Sequence, residues 1–354
     1  MTEAIRDFAK SCFSSPLNAA ITIAIAAWLA VTVPEIIRWA ILDAVWQGSS
    51  PKACAGVESA CWIFIKARAN SILFGTYPVA EQWRVELAGA IMLASVLVLL
   101  IRQLPHKIVI ATVLLFTILP ICGVVVSGGV LGLTPVPTER WGGLMLTVAL
   151  ASTTIVCSIP TGLLLALGRR SEMPVVRILS AGYIDIMRSL PLLGVLYLAI
   201  ILFPIFVPPG VEISPVARAI IALTLFNAAS LAEVFRGGLQ SVAKGQYEAG
   251  AALGMRGWQT MLLIVLPQAI TASLPGLVNI CVEIIKETTI VLIVGLFDVL
   301  GILQAGITDP NWLVGPQVRT TAYFFAGLLF WSLCFGLSRF SAHIEHTLSA
   351  GRRH

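Results

Sequence analysis

The chain has 354 residues, of which 58% are hydrophobic and 12% charged, and its mean hydropathy is +0.92. Soluble domains are about 45–50% apolar and about 25% charged, so a soluble globular fold is excluded, as are a disordered chain, a collagen and a small disulfide scaffold. The net charge of +5 comes from basic residues scattered singly between apolar runs, which suits orientation in a membrane and not a nucleic-acid footprint.

Several apolar runs are long enough to cross a bilayer, so the chain is an integral membrane protein. In lipid the backbone must satisfy its own hydrogen bonds, which makes each long run a helix and the fold all-α. In chain order the expected spans are 19–41, 85–101, 108–131, 141–167, 178–206, 216–234, 262–285 and 323–340. The run 290–299 is too short to span and reads as an interfacial or re-entrant piece. The first run follows Arg6 and Lys10, as a signal peptide would. It is longer than a typical signal core, contains Pro34 and Arg38 towards its end and shows no small-residue cleavage site, so it is expected to remain as a helix.

Connecting loops alternate sides. With the N-terminus inside, the inner segments hold Arg6, Lys10, Arg102, Lys107, Arg169, Arg170, Arg177, Arg236, Lys244, Arg256, Arg339, Arg352 and Arg353. The outer segments hold Lys52, Lys66, Arg68, Arg84, Arg140, Arg218, Lys286 and Arg319. The excess of inner cations favours both termini on the cytoplasmic side.

Cys122, Cys157, Cys281 and Cys334 fall within expected spans and read as small buried apolar residues. Cys54 and Cys61 lie instead in the long outer loop, where a periplasm would permit a disulfide between them. That loop mixes Trp46, Trp62, Phe64, Phe74, Tyr77 and Trp83 with Gly and Pro, a pattern of interfacial anchors or of a docking surface. No spacing suits a metal, and His343 with His346 reads as a solvated helix face. No phosphate-binding G-x-x-x-x-G-K-[ST], no H-E-x-x-H and no G-x-S-x-G occurs, so the chain presents no case for being an enzyme or for holding a cofactor.

The most informative segment follows the sixth span. Residues 246–253 can form a short helix with small residues at Ala249, Gly250, Ala251 and Ala252, a smooth surface for close approach by another chain. Gly254 fits a left-handed helix end, and Pro267 fits the start of the next span. A short exposed helix between two spans is a docking element.

That segment resembles the EAA loop of permease subunits of bacterial ABC importers: E-A-A, three residues, G, nine residues, I, one residue, L-P. Glu248, Ala249, Gly254, Ile264, Leu266 and Pro267 match at the required spacing, with Arg256 inside it. Gly250 stands where the family prefers alanine, a change that weakens the helix by roughly 0.5–1 kcal/mol. The stretch Tyr183 to Leu193, with Arg188 and Pro191, is similar to the Y-x-x-x-x-R-G-T-P-L-L segment of the polar amino acid branch, with Ser189 and Leu190 departing from it. Ala232-Glu233-Val-Phe-Arg236-Gly-Gly and Lys286-Glu287-Thr288-Thr289 resemble two further motifs of that branch. The three N-terminal spans resemble those of the larger permeases of general L-amino acid and glutamate/glutamine/aspartate/asparagine importers.

The resemblance implies an ABC permease core at 141–342, an N-terminal extension at 1–140 with its outer loop at 43–84, and a tail at 343–354. It implies partners: a dimer of ATP-binding subunits holding ATP and Mg2+, a second permease subunit, identical or a sister, and a periplasmic amino-acid-binding protein. The coupling helix then docks on the ATPase. A zwitterionic substrate needs a cation and an anion along its path; Arg188 can face its carboxylate, and Glu283 or Glu287, with Thr288, its ammonium. The same residues also admit local pairing of Arg188 with Asp185, Lys286 with Glu283 and Glu233 with Arg236. The competing classes are an ion-driven secondary transporter, which calls for internal repeats not visible here, and a structural scaffold.

Overall fold

The computed structural model describes residues 10–48, 50–100, 107–130, 132–208 and 210–350. Arg6, Arg102, Arg352 and Arg353 lie outside them, as do the side chains of Lys107, His343 and His346. The described residues are helical: α1 (Pro16–Ile37), α2 (Trp62–Phe74), α3 (Gln82–Leu100), α4 (Lys107–Ser127), α5 (Gly143–Arg169), α6 (Pro174–Ser189), α7 (Leu192–Phe206), α8 (Pro215–Ser241), α9 (Lys244–Ala252), α10 (Leu266–Glu287), α11 (Val299–Ile307) and α12 (Pro316–Ala350). Pro16–Leu42, Gly143–Arg169, Pro215–Ser241 and Pro316–Phe340 are each long and apolar enough to cross a bilayer.

The expected single span at 178–206 is instead two helices, α6 and α7, meeting at 104°. The cause is local. A proline disfavours the helical conformation in the residue before it, and Leu190 is extended (φ −86°, ψ 144°) ahead of Pro191. The apolar run continues through the break, which hides it from a hydropathy reading.

Two compact units divide the chain. The first takes the described residues up to Arg68 together with Ala305–Phe325. In it α1 starts at a Ser15 N-cap with Pro16 in the first turn, and buries no residue of its own. Cys54 and Cys61 are joined by a disulfide, Cα to Cα 5.9 Å. The Gln317 side-chain amide donates to the Cys54 carbonyl, and the Cys61 N–H donates to the Thr321 hydroxyl at 2.8 Å. Trp46 stacks on Trp62 at 5.3 Å, and Phe64 meets Trp312 edge-on at 5.1 Å. Phe64 is therefore core, not an interfacial anchor. Arg68 pairs with Asp309, whose carboxyl is held below the usual carboxylate range first by the Asn311 backbone N–H and further by the Asn311 side chain and Arg68.

The second unit takes Ala69–Gln304 and the described residues from Ala326 onward. Its centre is the packing of α5, α8 and α10. A β-carbon on Gly162 would lie 2.7 Å from Leu231 Cβ and 2.9 Å from the Ala228 carbonyl, so glycine lets α5 and α8 run side by side in the same direction. Gly238 fits against Ala269 and Ser273, and Gly276 against Val234, which sets α10 antiparallel to α8. Around these contacts Leu231, Phe235, Leu239, Val265 and Ala269 are buried together. Tyr77 is buried and donates to the Val126 carbonyl at 2.7 Å, so it too is core. Arg84, 2% exposed, pairs with Glu81 at 2.6 Å and donates to the carbonyl and hydroxyl of Thr134, pinning the loop after α4. Cys157 is exposed, unlike the buried residue expected there, because it lies on the outward side of α5.

Candidate functional site

The connection between α8 and α10 is built from turn chemistry upward. Helix α9 is nine residues long and ends where Gly254 adopts the left-handed conformation (φ +72°). The N–H of Met255 donates to the Gly250 carbonyl at 3.0 Å and that of Gly254 to the Ala251 carbonyl at 3.0 Å, which satisfies the last carbonyls of the helix. The Arg256 N–H then donates to Gln259 Oε1 at 2.8 Å as the next turn begins. A π-turn over Met261–Val265 leads into α10, with Pro267 in the first turn, where its missing N–H is tolerated.

Three contacts fasten α9 to the bundle. Arg170, at the end of α5, donates to the Tyr247 hydroxyl at 3.1 Å and stacks over its ring at 5.7 Å. Gln268 donates to the Gln246 side chain at 3.3 Å. Gly250 is buried against Thr260, whose Cγ2 and Oγ1 would each lie 2.6 Å from a β-carbon placed there. The small residues thus split into two sets. Gly250 faces the bundle, whereas Ala249, Ala251 and Ala252 are exposed beside Glu248 and Arg256. Leu253 and Trp258 add apolar area at 77% and 59% exposure. Ile264 and Leu266 are half-buried and Pro267 exposed. The outward side of this segment is thus an exposed apolar patch flanked by one acid and one base.

The second feature is a series of polar groups along α8. Asn227 is 1% exposed and donates its side-chain amide to Glu287 at 2.8 Å across the antiparallel contact with α10. Counted from Ser241 at 1.5 Å per residue, this pair stands about 21 Å from the α9 end, close to mid-helix. Glu233 stands about 12 Å from that end. It accepts from Arg236 at 2.5 Å and from Arg169 at 2.8 Å, with Arg188 at 3.9 Å. Arg169 also reaches Asp185 at 3.3 Å.

Arg188 therefore faces Glu233, not Asp185, because Arg169 arrives from α5 to take that carboxylate. The Glu233–Arg236 pair forms as its spacing suggests, while Lys286 and Glu283 form no ion pair among the described residues. Glu283 is exposed, Glu287 half-buried and Thr288 buried, donating to the Ile285 carbonyl at 2.8 Å. Arg188 and Glu287 belong to different clusters, and no ion pair joins them among the described residues. Asn227, Arg169, Tyr247 and Thr260 are the contributors that pattern reading passed over. Only Asn227 carried a local signal, a lone amide in an apolar span.

Residues 158–350 match the family described as the inner membrane component of binding-protein-dependent transport systems. The chain belongs to that family. The permease is 40% identical to the inner membrane amino-acid ABC transporter permease protein YhdY of Escherichia coli K12, over 97% of this chain and 92% of that protein. It is 34% identical to the glutamate/glutamine/aspartate/asparagine transport system permease protein BztC of Rhodobacter capsulatus, over 99% of this chain and 95% of that one. A crystal structure of an amino acid ABC transporter with histidines superposes with a TM-score of 0.50 at 28% identity, covering 58% of this chain and 91% of the other. The permease is thus a multi-pass inner-membrane transport subunit of an ABC importer, with ATP hydrolysis in a partner subunit and substrate supplied by a binding protein. Membership also replaces the ion-driven alternative, which leaves the 248–267 segment without a role.

Proposed function

We propose that the permease imports L-amino acids, of the general or glutamate/glutamine/aspartate/asparagine type, by alternating access. The observation that carries this reading is the exposed face of α9, fastened to α5 through Arg170–Tyr247 and to α10 through Gly250–Thr260. A push on that face reaches the helices that hold Glu233 and Asn227–Glu287. Both full-length relatives bear amino-acid permease names, which supports the substrate class.

In this reading α9 docks on one member of an ATPase dimer, which binds ATP and Mg2+. Closure of that dimer moves α5, α8 and α10 together, opening the path at one end and closing it at the other. The Glu233 cluster is the ionic contact nearer the ATPase, and Glu287, held by Asn227, meets the substrate ammonium, with Arg188 available to its carboxylate. A second permease subunit, a sister or a copy, completes the path. Both termini face the cytoplasm, which puts the 43–84 loop in the periplasm, where a Cys54–Cys61 disulfide persists. Residues 141–342 form the transport core, preceded by the 1–140 extension and followed by the 343–354 tail.

The test is uptake of radiolabelled L-glutamate, L-glutamine, L-aspartate and L-asparagine by proteoliposomes containing the whole complex and its binding protein. ATP-dependent accumulation of at least one is expected. Transport of a sugar or an inorganic anion with none of the amino acids would overturn the substrate assignment.

A further inference from the structure

At the end of the bundle opposite α9, the α7–α8 connection and the turn before α5 border an open cleft of ≈ 540 Å3. That volume lies within the roughly 300–1,000 Å3 of small-molecule sites. Phe203, Pro204, Val207 and Pro208 supply apolar lining, and Glu139, Glu212 and Arg218 supply charge. Arg218 sits in the first turn of α8 and donates one terminal nitrogen to the Ile200 carbonyl. Its Nε is buried without a hydrogen-bond partner among the described residues. Neither Glu139 nor Glu212 forms an ion pair with it or with any other described cation. One cleft thus carries a half-buried guanidinium and two exposed carboxylates, with no ion pair between them among the described residues. Charges of opposite sign that share a cavity without pairing complement a ligand carrying both signs at a fixed separation.

We propose that this cleft is a receiving site for the amino acid released by the binding protein, ahead of the mid-helix groups of the path. Arg218 takes the α-carboxylate, and Glu139 or Glu212 the α-ammonium. A guanidinium fork matches a carboxylate in two parallel hydrogen bonds, and the Ile200 carbonyl keeps the fork oriented. The proposal rests on the amino-acid reading above and adds a second, outer station to it.

The test uses the assembled complex in nanodiscs, without binding protein, and equilibrium binding of radiolabelled L-glutamate and L-glutamine. Arg218→Gln is expected to weaken binding of the better probe about tenfold or more, the effect of losing one charge-assisted contact. Glu212→Gln, in an exposed loop that does not threaten folding, is expected to weaken it severalfold when combined with Glu139→Gln, while leaving binding of the N-acetylated probe unchanged. Affinity of the complex for its binding protein should stay within about twofold in every variant. Loss of binding-protein affinity with unchanged amino-acid binding would overturn the proposal and make the cleft a docking surface. Wild-type binding that is unaffected by all three substitutions, or absent, would overturn it while wild-type uptake in proteoliposomes still supports the amino-acid reading. Failure of wild-type uptake itself would instead count against that underlying reading.

Discussion

Gly250 and Thr260 are in such close contact that a β-carbon on the first would lie 2.6 Å from both Oγ1 and Cγ2 of the second. The short helix α9 is therefore seated on the start of the next helix by a glycine that has no room to become alanine. Gly250→Ala gains about 1 kcal/mol of helix propensity but overpacks the contact by about 1–3 kcal/mol. The expected net result is a lower thermal stability of the purified complex. Thr260→Ala should relieve it, giving a double-mutant coupling of about 1 kcal/mol or more. Strictly additive effects would mean that the two residues do not touch.

Asn227 holds Glu287 through a 2.8 Å hydrogen bond within a buried helix contact. Asn227→Leu removes the amide and leaves the carboxylate without that donor. Uptake in proteoliposomes is expected to fall about tenfold, with normal yield of assembled complex, because the half-buried carboxylate loses the donor that positions it, a contact of about 1–3 kcal/mol. Wild-type uptake by this variant would remove Glu287 from the path.

Glu233 receives two arginines at hydrogen-bond distance and a third at 3.9 Å. Glu233→Gln therefore strands several cations at once, whereas Arg188→Gln removes only a long contact whose arginine side chain is 50% exposed. Thermal unfolding should rank them: about 1–3 kcal/mol for the first and less than about 1 kcal/mol for the second. The reverse order would place Arg188, not Glu233, at the centre of the cluster.

The disulfide between Cys54 and Cys61 closes a short loop with a sequence separation of seven. A cross-link of that size contributes about 2–3 kcal/mol in the chain-entropy description. Cys54→Ser with Cys61→Ser is expected to lower the melting temperature. A mass-tagged maleimide should modify the two thiols in denatured wild-type protein only after reduction. Labelling of both without reductant would show the bond to be absent in the cell. On intact cells, a membrane-impermeant maleimide should reach Lys52→Cys, an exposed position beside the bond, if the loop is periplasmic.

Much of this was legible in the residues because it is local. Apolar runs such as 141–167 and 216–234 mark helices, since lipid leaves the backbone no other partner. The spacing from Glu248 to Pro267 marked a short exposed helix ended by a left-handed glycine, and the i,i+3 spacing marked Glu233 with Arg236. What was hidden depends on distant chain. Arg169 reaches Glu233 from 64 residues away, and so displaces Arg188 from its local role beside Asp185. The inward face of Gly250 is set by Thr260, and no pattern within α9 reveals it. Pro191 did carry the signal for the 104° break, but the continuing hydropathy outweighed it.

Coupling through α9 is tested most directly by ATP-driven amino-acid uptake in proteoliposomes carrying Glu248→Ala or Gly254→Trp. Glu248 is exposed on the outward face of α9, and Gly254 holds the left-handed end of the helix (φ +72°). Both variants should insert and assemble normally, yet lose about tenfold or more of uptake, within the range of typical coupling energies. Uptake equal to wild type in both, with assembly intact, would contradict the role of this helix as the link to the ATPase.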